Sequence, residues 1–255
     1  MAETILAFSP YAVAGVGGIV PALVWLLFWL REDRKSPEPT GLIAISFFAG
    51  MLIVYFVLPI QKFVITALPM VMDTTNAIAL KFLFIAPEEQ TVKITLWATT
   101  EEIAKYATVF LIAFKSKFLD EPIDAIIYLL TASLGFAAME NILYILNDIN
   151  NLSTAQIFLD VNLRFIGATI LHMVSSALVG LAIAFSFHGA RFVKFIALTT
   201  GLIGASLLHA YFNLSIMEIN GTMNTLWVFS RFWMAIFAII VLLQIVKRIN
   251  PNPTN

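Results

Sequence analysis

The residues with the clearest capacity for chemistry are two adjacent glutamates, Glu101 and Glu102, followed within one turn by Lys105. They lie inside an apolar run from about residue 94 to residue 114, which is long enough to cross a bilayer as a helix. An ionised group at membrane depth costs at least about 2.5–3.5 kcal/mol, so such residues are rare and are retained mainly for function. The four-residue spacing predicts an ion pair between Glu101 and Lys105, which leaves Glu102 to be satisfied by another helix or by water.

Further acid, base and donor side chains lie inside other apolar runs: Glu140, Asn141, His172, His209 and Asn213. Counted along their helices at 1.5 Å per residue, the glutamates and histidines fall roughly 10–14 Å below one membrane face. A single histidine in a membrane helix is more often an interhelical hydrogen bonder than a base. A common depth on four helices instead favours one shared site, which the third, fourth, fifth and sixth predicted spans must position.

The composition indicates a membrane protein. Of the 255 residues, 60% are hydrophobic and 12% are charged, and the mean hydropathy is +0.90. The net charge of −1 argues against nucleic acid as a partner. The absence of cysteine excludes disulfides, a thiol nucleophile and thiolate metal sites. We therefore expect an all-α polytopic transmembrane bundle, with residues 1–255 forming one integral membrane domain.

Apolar runs predict seven spans, at about 11–30, 41–59, 94–114, 123–146, 163–187, 195–217 and 225–246. Residues 60–93 leave room for an eighth, although 60–72 would only extend the second span past Pro59 and 76–86 is too short to cross. The first run is too long for a signal peptide, so it is interpreted as an uncleaved span. Lysine and arginine follow the first, third, fifth and last spans, which predicts an outside N-terminus and a cytoplasmic C-terminus.

The buried polar set is suited to the activation of water. A glutamate would take the proton, His172 would orient the water or share its proton, and His209 with Asn213 would stabilise an oxyanion. The adjacent glutamates favour a mechanism without metal, since one carboxylate accepts a proton while its neighbour holds or returns one. Zinc held by Glu140, His172 and His209 is the alternative.

The remaining polar residues of the spans have simpler interpretations. Ser175, Ser176, Ser206 and Thr199 are interpreted as packing or back-bonded residues, which are common in membrane helices. Arg231, in the last span, is interpreted as a counter-charge or an interface anchor.

The order of these residues resembles the motifs of the PrsW family of intramembrane proteases: Glu101-Glu102-x-x-Lys105, Phe136-x-x-x-Glu140-Asn141, His172, and His209-x-x-x-Asn213. In and beside the first loop, Trp29-x-x-x-Asp33-Arg34 and Pro37-Glu38-Pro39 resemble the N-terminal signature of that family, and so does Glu121-Pro122-x-Asp124 before the fourth span. The likeness runs from about Trp25 to Asn213. That family belongs with the CAAX prenyl endopeptidase superfamily, so the resemblance implies its helical membrane fold, with Glu140 where the prenyl endopeptidases carry histidine.

The resemblance implies an endopeptidase of the bacterial plasma membrane that cleaves a membrane-anchored protein near the membrane surface. The best-known role of such a protease is removal of the outer part of an anti-sigma factor, and other superfamily members are linked to bacteriocin processing. The implied functional set is Glu101, Glu102, Glu140, His172, His209 and Asn213, with Lys105 and Asn141 in support. The alternatives are a proton- or ion-coupled transporter and a non-catalytic membrane scaffold. The sequence contains no internal repeat of the kind common in carriers.

Overall fold

The computed structural model describes residues 10–33, 36–82, 88–148, 167–217 and 222–249. These residues form seven helices: α1 (Pro10–Leu30), α2 (Thr40–Phe82), α3 (Glu89–Ile112), α4 (Pro122–Asp148), α5 (Ala168–Phe185), α6 (Arg191–Met217) and α7 (Thr222–Val246). No strand occurs in the described ranges. The predicted all-α bundle is confirmed.

Six of these helices are long and apolar enough to cross a membrane, a count restricted to the described residues and lower than the seven or eight spans predicted. The helix that falls short is α3, although it has 24 residues. Every 18-residue stretch of α3 contains Glu101, Glu102 and Lys105, so it is too charged to qualify by composition. It packs against α2 and α6, which cover part of its polar surface.

The second predicted span and the uncertain stretch after it form one helix. α2 has 43 residues and continues through Pro59 and Pro69, so residues 60–82 extend the second span and do not form an eighth. Proline is tolerated inside membrane helices because neighbouring groups satisfy the freed carbonyls. The apolar part alone, Thr40–Thr74, has 35 residues. That is well beyond the roughly 20 residues needed to cross a bilayer.

The start of α4 is fixed by local chemistry. Pro122 occupies the first turn, where its missing N–H costs no helical hydrogen bond. The Asp124 carboxylate accepts the backbone N–H groups of Asp120 (2.9 Å) and Glu121 (2.6 Å). One turn further on, the Tyr128 hydroxyl donates to the Glu38 carboxylate, which ties α4 to the α1–α2 loop.

α4 and α5 form the centre of the bundle, with 78% and 72% of their apolar spans buried. α2 approaches α4 closely, because a Cβ added at Gly135 would lie 2.0 Å from the Phe47 carbonyl oxygen. Small residues allow such close contacts between membrane helices. α1, α2, α6 and α7 turn large apolar side chains outward, where lipid would cover them, including Phe63, Phe192 and Phe237.

Contacts between helix ends define two ends of the bundle. At one end, Gln90 near the start of α3 reaches Met217 at the end of α6. At the other, Lys247 just after α7 pairs with Glu32 just after α1 at 2.6 Å. The loops predicted to share the cytoplasmic side, after the first and last spans, therefore meet at one end of the molecule.

Candidate active site

Four helices bring the predicted polar residues into direct contact inside the bundle. α3 supplies Glu101, Glu102 and Lys105, while α4 supplies Glu140, α5 supplies His172 and α6 supplies His209. Glu101, Glu102, Lys105, His172 and His209 are all buried, and the Glu140 side chain is 35% exposed. The predicted common layer is thus assembled as one connected cluster.

Glu102 lies at the centre of the cluster. Its Oε1 accepts the Lys105 ammonium at 2.6 Å and contacts His209 Nδ1 at 2.8 Å. Its Oε2 accepts the Ser176 hydroxyl at 3.2 Å. The predicted Glu101–Lys105 pair is therefore wrong, since Lys105 takes the glutamate three residues away. The reason is tertiary, because Glu102 faces α5 and α6 while Glu101 is held from α2.

Lys105 and Glu140 hold His172 from its two ring nitrogens. The Lys105 Nζ lies 3.0 Å from His172 Nδ1, and the Glu140 carboxylate lies 2.8 Å from His172 Nε2. The Phe136 ring packs beside both groups, 4.9 Å from the ammonium and 5.2 Å from the imidazole centroid. An ammonium only donates and an ionised carboxylate only accepts, so His172 carries its proton on Nε2.

The Glu101 carboxylate has one oxygen bound and one open. Gln61 Nε2, from α2, donates to Oε1 at 2.8 Å. The other oxygen, Oε2, is buried and has no hydrogen-bond partner among the described residues. It lies 3.6 Å from His209 Nε2 and 3.9 Å from His172 Nδ1.

The arrangement directs three electron-pair donors into one small space. Because Glu102 accepts from His209 Nδ1, the His209 lone pair lies on Nε2, which faces Glu101. The His172 lone pair lies on Nδ1, which faces the same carboxylate and Lys105. The ligand atoms of Glu101, His172 and His209 all lie within 4.8 Å of one another. Such a group can hold a water molecule or a cation.

Three predicted residues lie at the margin of the cluster or outside it. Asn141 is buried and donates to Thr169 Oγ1 at 3.2 Å, which links α4 to the start of α5. Asn213 lies one turn beyond His209 on α6 and is half-buried. Arg231 is exposed and donates to the Tyr211 hydroxyl, so its position fits the anchor interpretation.

Sequence reasoning missed two members of the site. Gln61 was in a stretch without a recognisable motif, although its spacing from Val54 and Val57 continues the buried stripe of α2. Ser176 was interpreted as a packing residue and instead donates to Glu102. Thr199, interpreted in the same way, does bond back to the Phe195 carbonyl.

The N-terminal signature residues gather at the opposite end of the bundle, in what we call the Asp33 cluster: Asp33, Glu38, Asp120, Glu121, Asp124 and Tyr128. Burial raises the pKa of the Asp33 carboxyl to about 7, and the nearby carboxylates of Glu38 and Glu121 add to the effect. Burial also raises the pKa of Glu38. Trp29, from the same signature, is buried and donates to the Met173 sulfur at 2.7 Å.

A polytopic helical bundle with a buried carboxylate–imidazole centre belongs to the class of membrane proteins that includes intramembrane hydrolases. Comparison with known proteins makes the assignment specific. Residues 38–244 match the model of the PrsW family of intramembrane metalloproteases, and the chain belongs to that family. The family resemblance seen in the motifs is confirmed.

Two curated relatives carry the name Protease PrsW. The protein from Geobacillus kaustophilus (strain HTA426) is 30% identical over 175 residues, which cover 69% of this chain and 65% of that protein. The protein from Bacillus subtilis (strain 168) is 28% identical over 202 residues, which cover 77% of this chain and 79% of that protein. No solved structure matches the chain.

The family is described as metalloproteases, which supports the metal-dependent mechanism that the sequence offered as the alternative. The donor set fits an ion, because two imidazoles and a carboxylate are common ligands of catalytic zinc. The open, buried oxygen of Glu101 supports the fit. The set differs from the predicted one, since Glu101 takes the place of Glu140, which is engaged with His172 Nε2.

Proposed function

We propose that this chain is an intramembrane endopeptidase that hydrolyses a peptide bond of a membrane-anchored protein, with water activated between Glu101, His172 and His209. The observation that carries this proposal is the open Glu101 oxygen. A buried carboxylate oxygen without a partner is costly, and here it faces two imidazole nitrogens at 3.6 and 3.9 Å. That geometry suits a group that must accept a proton.

The surrounding residues have separate roles in this proposal. Glu101 accepts the proton of the attacking water. Glu102 and Glu140 fix the tautomers of His209 and His172, as carboxylates commonly do for functional histidines. Lys105 balances the charge of Glu102. Asn213, one turn from His209, donates to the oxyanion.

A metal ion would be held by Glu101, His172 and His209. A bound zinc ion supplies a hydroxide-like nucleophile at neutral pH and polarises the scissile carbonyl. Lys105 Nζ lies 3.0 Å from His172 Nδ1, the nitrogen that would bind the metal. Lys105 would then lose this contact and keep its ion pair with Glu102. In either mechanism Glu102 and Glu140 keep the two ring orientations.

We propose a single-pass membrane protein, of the kind represented by an anti-sigma factor, as the substrate. The support is the position of the site close to the Gln90–Met217 end of the bundle. His172 is four residues from the start of α5, and Glu140 and His209 are each eight residues from a helix end, or about 6–12 Å along their helices. A peptide bond near one membrane face would reach this level.

The test uses purified full-length protein in proteoliposomes with a single-pass membrane substrate. Wild-type protein should cleave it, and Glu101→Gln should not. Cleavage by both variants would refute the role of Glu101, and cleavage by neither would favour a transporter or a scaffold.

Metal analysis of the same preparation separates the two mechanisms. One zinc ion per active molecule, with activity lost on chelation and regained on zinc addition, would establish the metal-dependent form. Full activity in metal-free protein would establish the carboxylate–imidazole form.

A further inference from the structure

Gln61 occupies an unusual position on α2. The buried stripe of this helix runs through Val54, Val57 and Leu68, and Gln61 falls on it at helical spacing. Its neighbours Ile60 and Phe63 are exposed, at 49% and 71%, on the outward surface. An amide inside an apolar span needs a partner, and Gln61 finds it in a glutamate of α3.

The bond from Gln61 fixes the direction of the Glu101 carboxylate. Gln61 Nε2 lies 2.8 Å from Oε1, so that oxygen is engaged from the α2 side. Oε2 is then turned to His209 and His172. Without the amide, either oxygen could rotate toward α2, and the geometry between the carboxylate and the imidazoles would no longer be unique.

The partner of Glu101 is neutral, whereas the partner of Glu102 is a cation. Lys105 pairs with Glu102 at 2.6 Å. An amide orients a carboxylate without neutralising its charge, so it leaves a charge available to attract a proton or a metal. Gln61 on α2 and Lys105 on α3 thus give the two adjacent glutamates different roles.

We infer that Gln61 is a positioning residue of the active site, which holds Glu101 so that Oε2 faces His172 and His209. This inference rests on the proposed function of those three residues. Partners that orient a catalytic or metal-ligating group are typically worth about 10–100-fold in activity or metal affinity. The effect should fall on kcat and leave KM unchanged, because Gln61 acts through Glu101 and not on the substrate.

A substitution at Gln61 tests the inference. Gln61→Leu removes the donor and should lower kcat by about 10–100-fold. The matched control is Gln244→Leu, because Gln244 Nε2 also donates to a glutamate, Glu32 Oε2 at 3.1 Å, at the other end of the bundle.

Several outcomes would overturn the inference. A kcat of Gln61→Leu within twofold of wild type would do so. An equal fall in Gln244→Leu would show a general effect of losing a glutamine.

An infrared measurement reads the same contact without turnover. The spectrum of each protein minus that of its Glu101→Gln counterpart isolates the Glu101 carboxyl band. Gln61→Leu should shift this band and Gln244→Leu should not, and an unshifted band would refute the contact. Absence of cleavage by wild type would refute the proposed function, whereas a cleaving wild type with an unaffected Gln61→Leu would refute the role of Gln61 alone.

Discussion

Two clusters gather carboxylates from distant parts of the chain. One is the candidate site formed by Glu101, Glu102, Lys105, Glu140, His172 and His209, called the active-site cluster here, and the other is the Asp33 cluster. They satisfy their carboxylates differently. In the active-site cluster the carboxylates face an ammonium and two imidazoles. In the Asp33 cluster they face backbone N–H groups, a tyrosine hydroxyl and one another. Among the described residues, both contain buried carboxylate oxygens without a hydrogen-bond partner, in Glu101, Asp33 and Asp124. Burial of a carboxylate therefore does not separate the two clusters, whereas the imidazole nitrogens opposite Glu101 do.

The largest effect is expected from Lys105→Met, which leaves the buried Glu102 without its cation. Breaking a buried pair in this way typically costs about 3–5 kcal/mol of unfolding free energy. The comparison is Lys247→Met, which breaks the partly exposed pair with Glu32 and should cost at most about 1 kcal/mol. Denaturant unfolding in detergent would measure both values. Equal losses would mean that the Lys105 pair is no more important to folding than the peripheral one.

Glu140→Gln should have the next largest effect, on catalysis. Removing the charge beside His172 Nε2 weakens the hold on the ring and should lower kcat by about 10–100-fold. Glu38→Gln makes the same change in the Asp33 cluster, retains an oxygen for the Tyr128 hydroxyl, and should leave kcat unchanged. Steady-state cleavage per folded molecule would distinguish them. Comparable losses would indicate that the two clusters are coupled.

A packing substitution tests the framework that both clusters share. α4 carries Asp124 and Tyr128 near its start and Glu140 further along, with Gly135 between them. Gly135→Ala would force α2 and α4 apart and should cost about 1–3 kcal/mol. Gly41→Ala meets nothing within 4 Å and is the control. Thermal melting in detergent would show the difference, and an unchanged melting temperature for Gly135→Ala would refute the close crossing.

A further prediction concerns pH and the Asp33 cluster. The pKa of Asp33 is about 7 in the folded chain against 3.8 without the fold, so between these values the folded state binds more protons than the unfolded state. Stability should therefore be greatest at the acid end and fall as pH rises to about 7. Asp33→Asn should flatten this part of the curve. An identical slope in both proteins would show that Asp33 does not retain its proton.

Much of the site could be predicted because depth along a helix follows directly from residue number. That is why Glu101, Glu102, Glu140, His172 and His209 were expected in one layer. The choice of Glu102 as the partner of Lys105 could not be predicted, since spacings of three and four residues are both favourable on one helix and the neighbouring helices decide between them. The role of Gln61 depends on α2 continuing past Pro59, which local signals argue against.

The span count was overestimated for a related reason. The third predicted span, α3, is too charged to qualify by composition alone, and residues 60–82, which left room for an eighth span, continue α2. α3 is stabilised by its neighbours, since Ile94 and Ala98 pack against Ala210 of α6. The composition of a single 18-residue stretch carries no information about such neighbours.

The active-site cluster lies near the Gln90–Met217 end of the bundle, so the proposed protease would act at a defined depth in the membrane. The hydrocarbon core of a bilayer is about 30 Å thick. His172, Glu140 and His209 lie about 6–12 Å, and Glu101 about 18 Å, from helix ends on one side. Under the proposed function, a substrate helix beside the bundle would thus present only one short register to Glu101, His172 and His209. A peptide bond would be selected by its distance from the membrane surface before its side-chain sequence matters. Moving the scissile bond by two helical turns would place it out of reach.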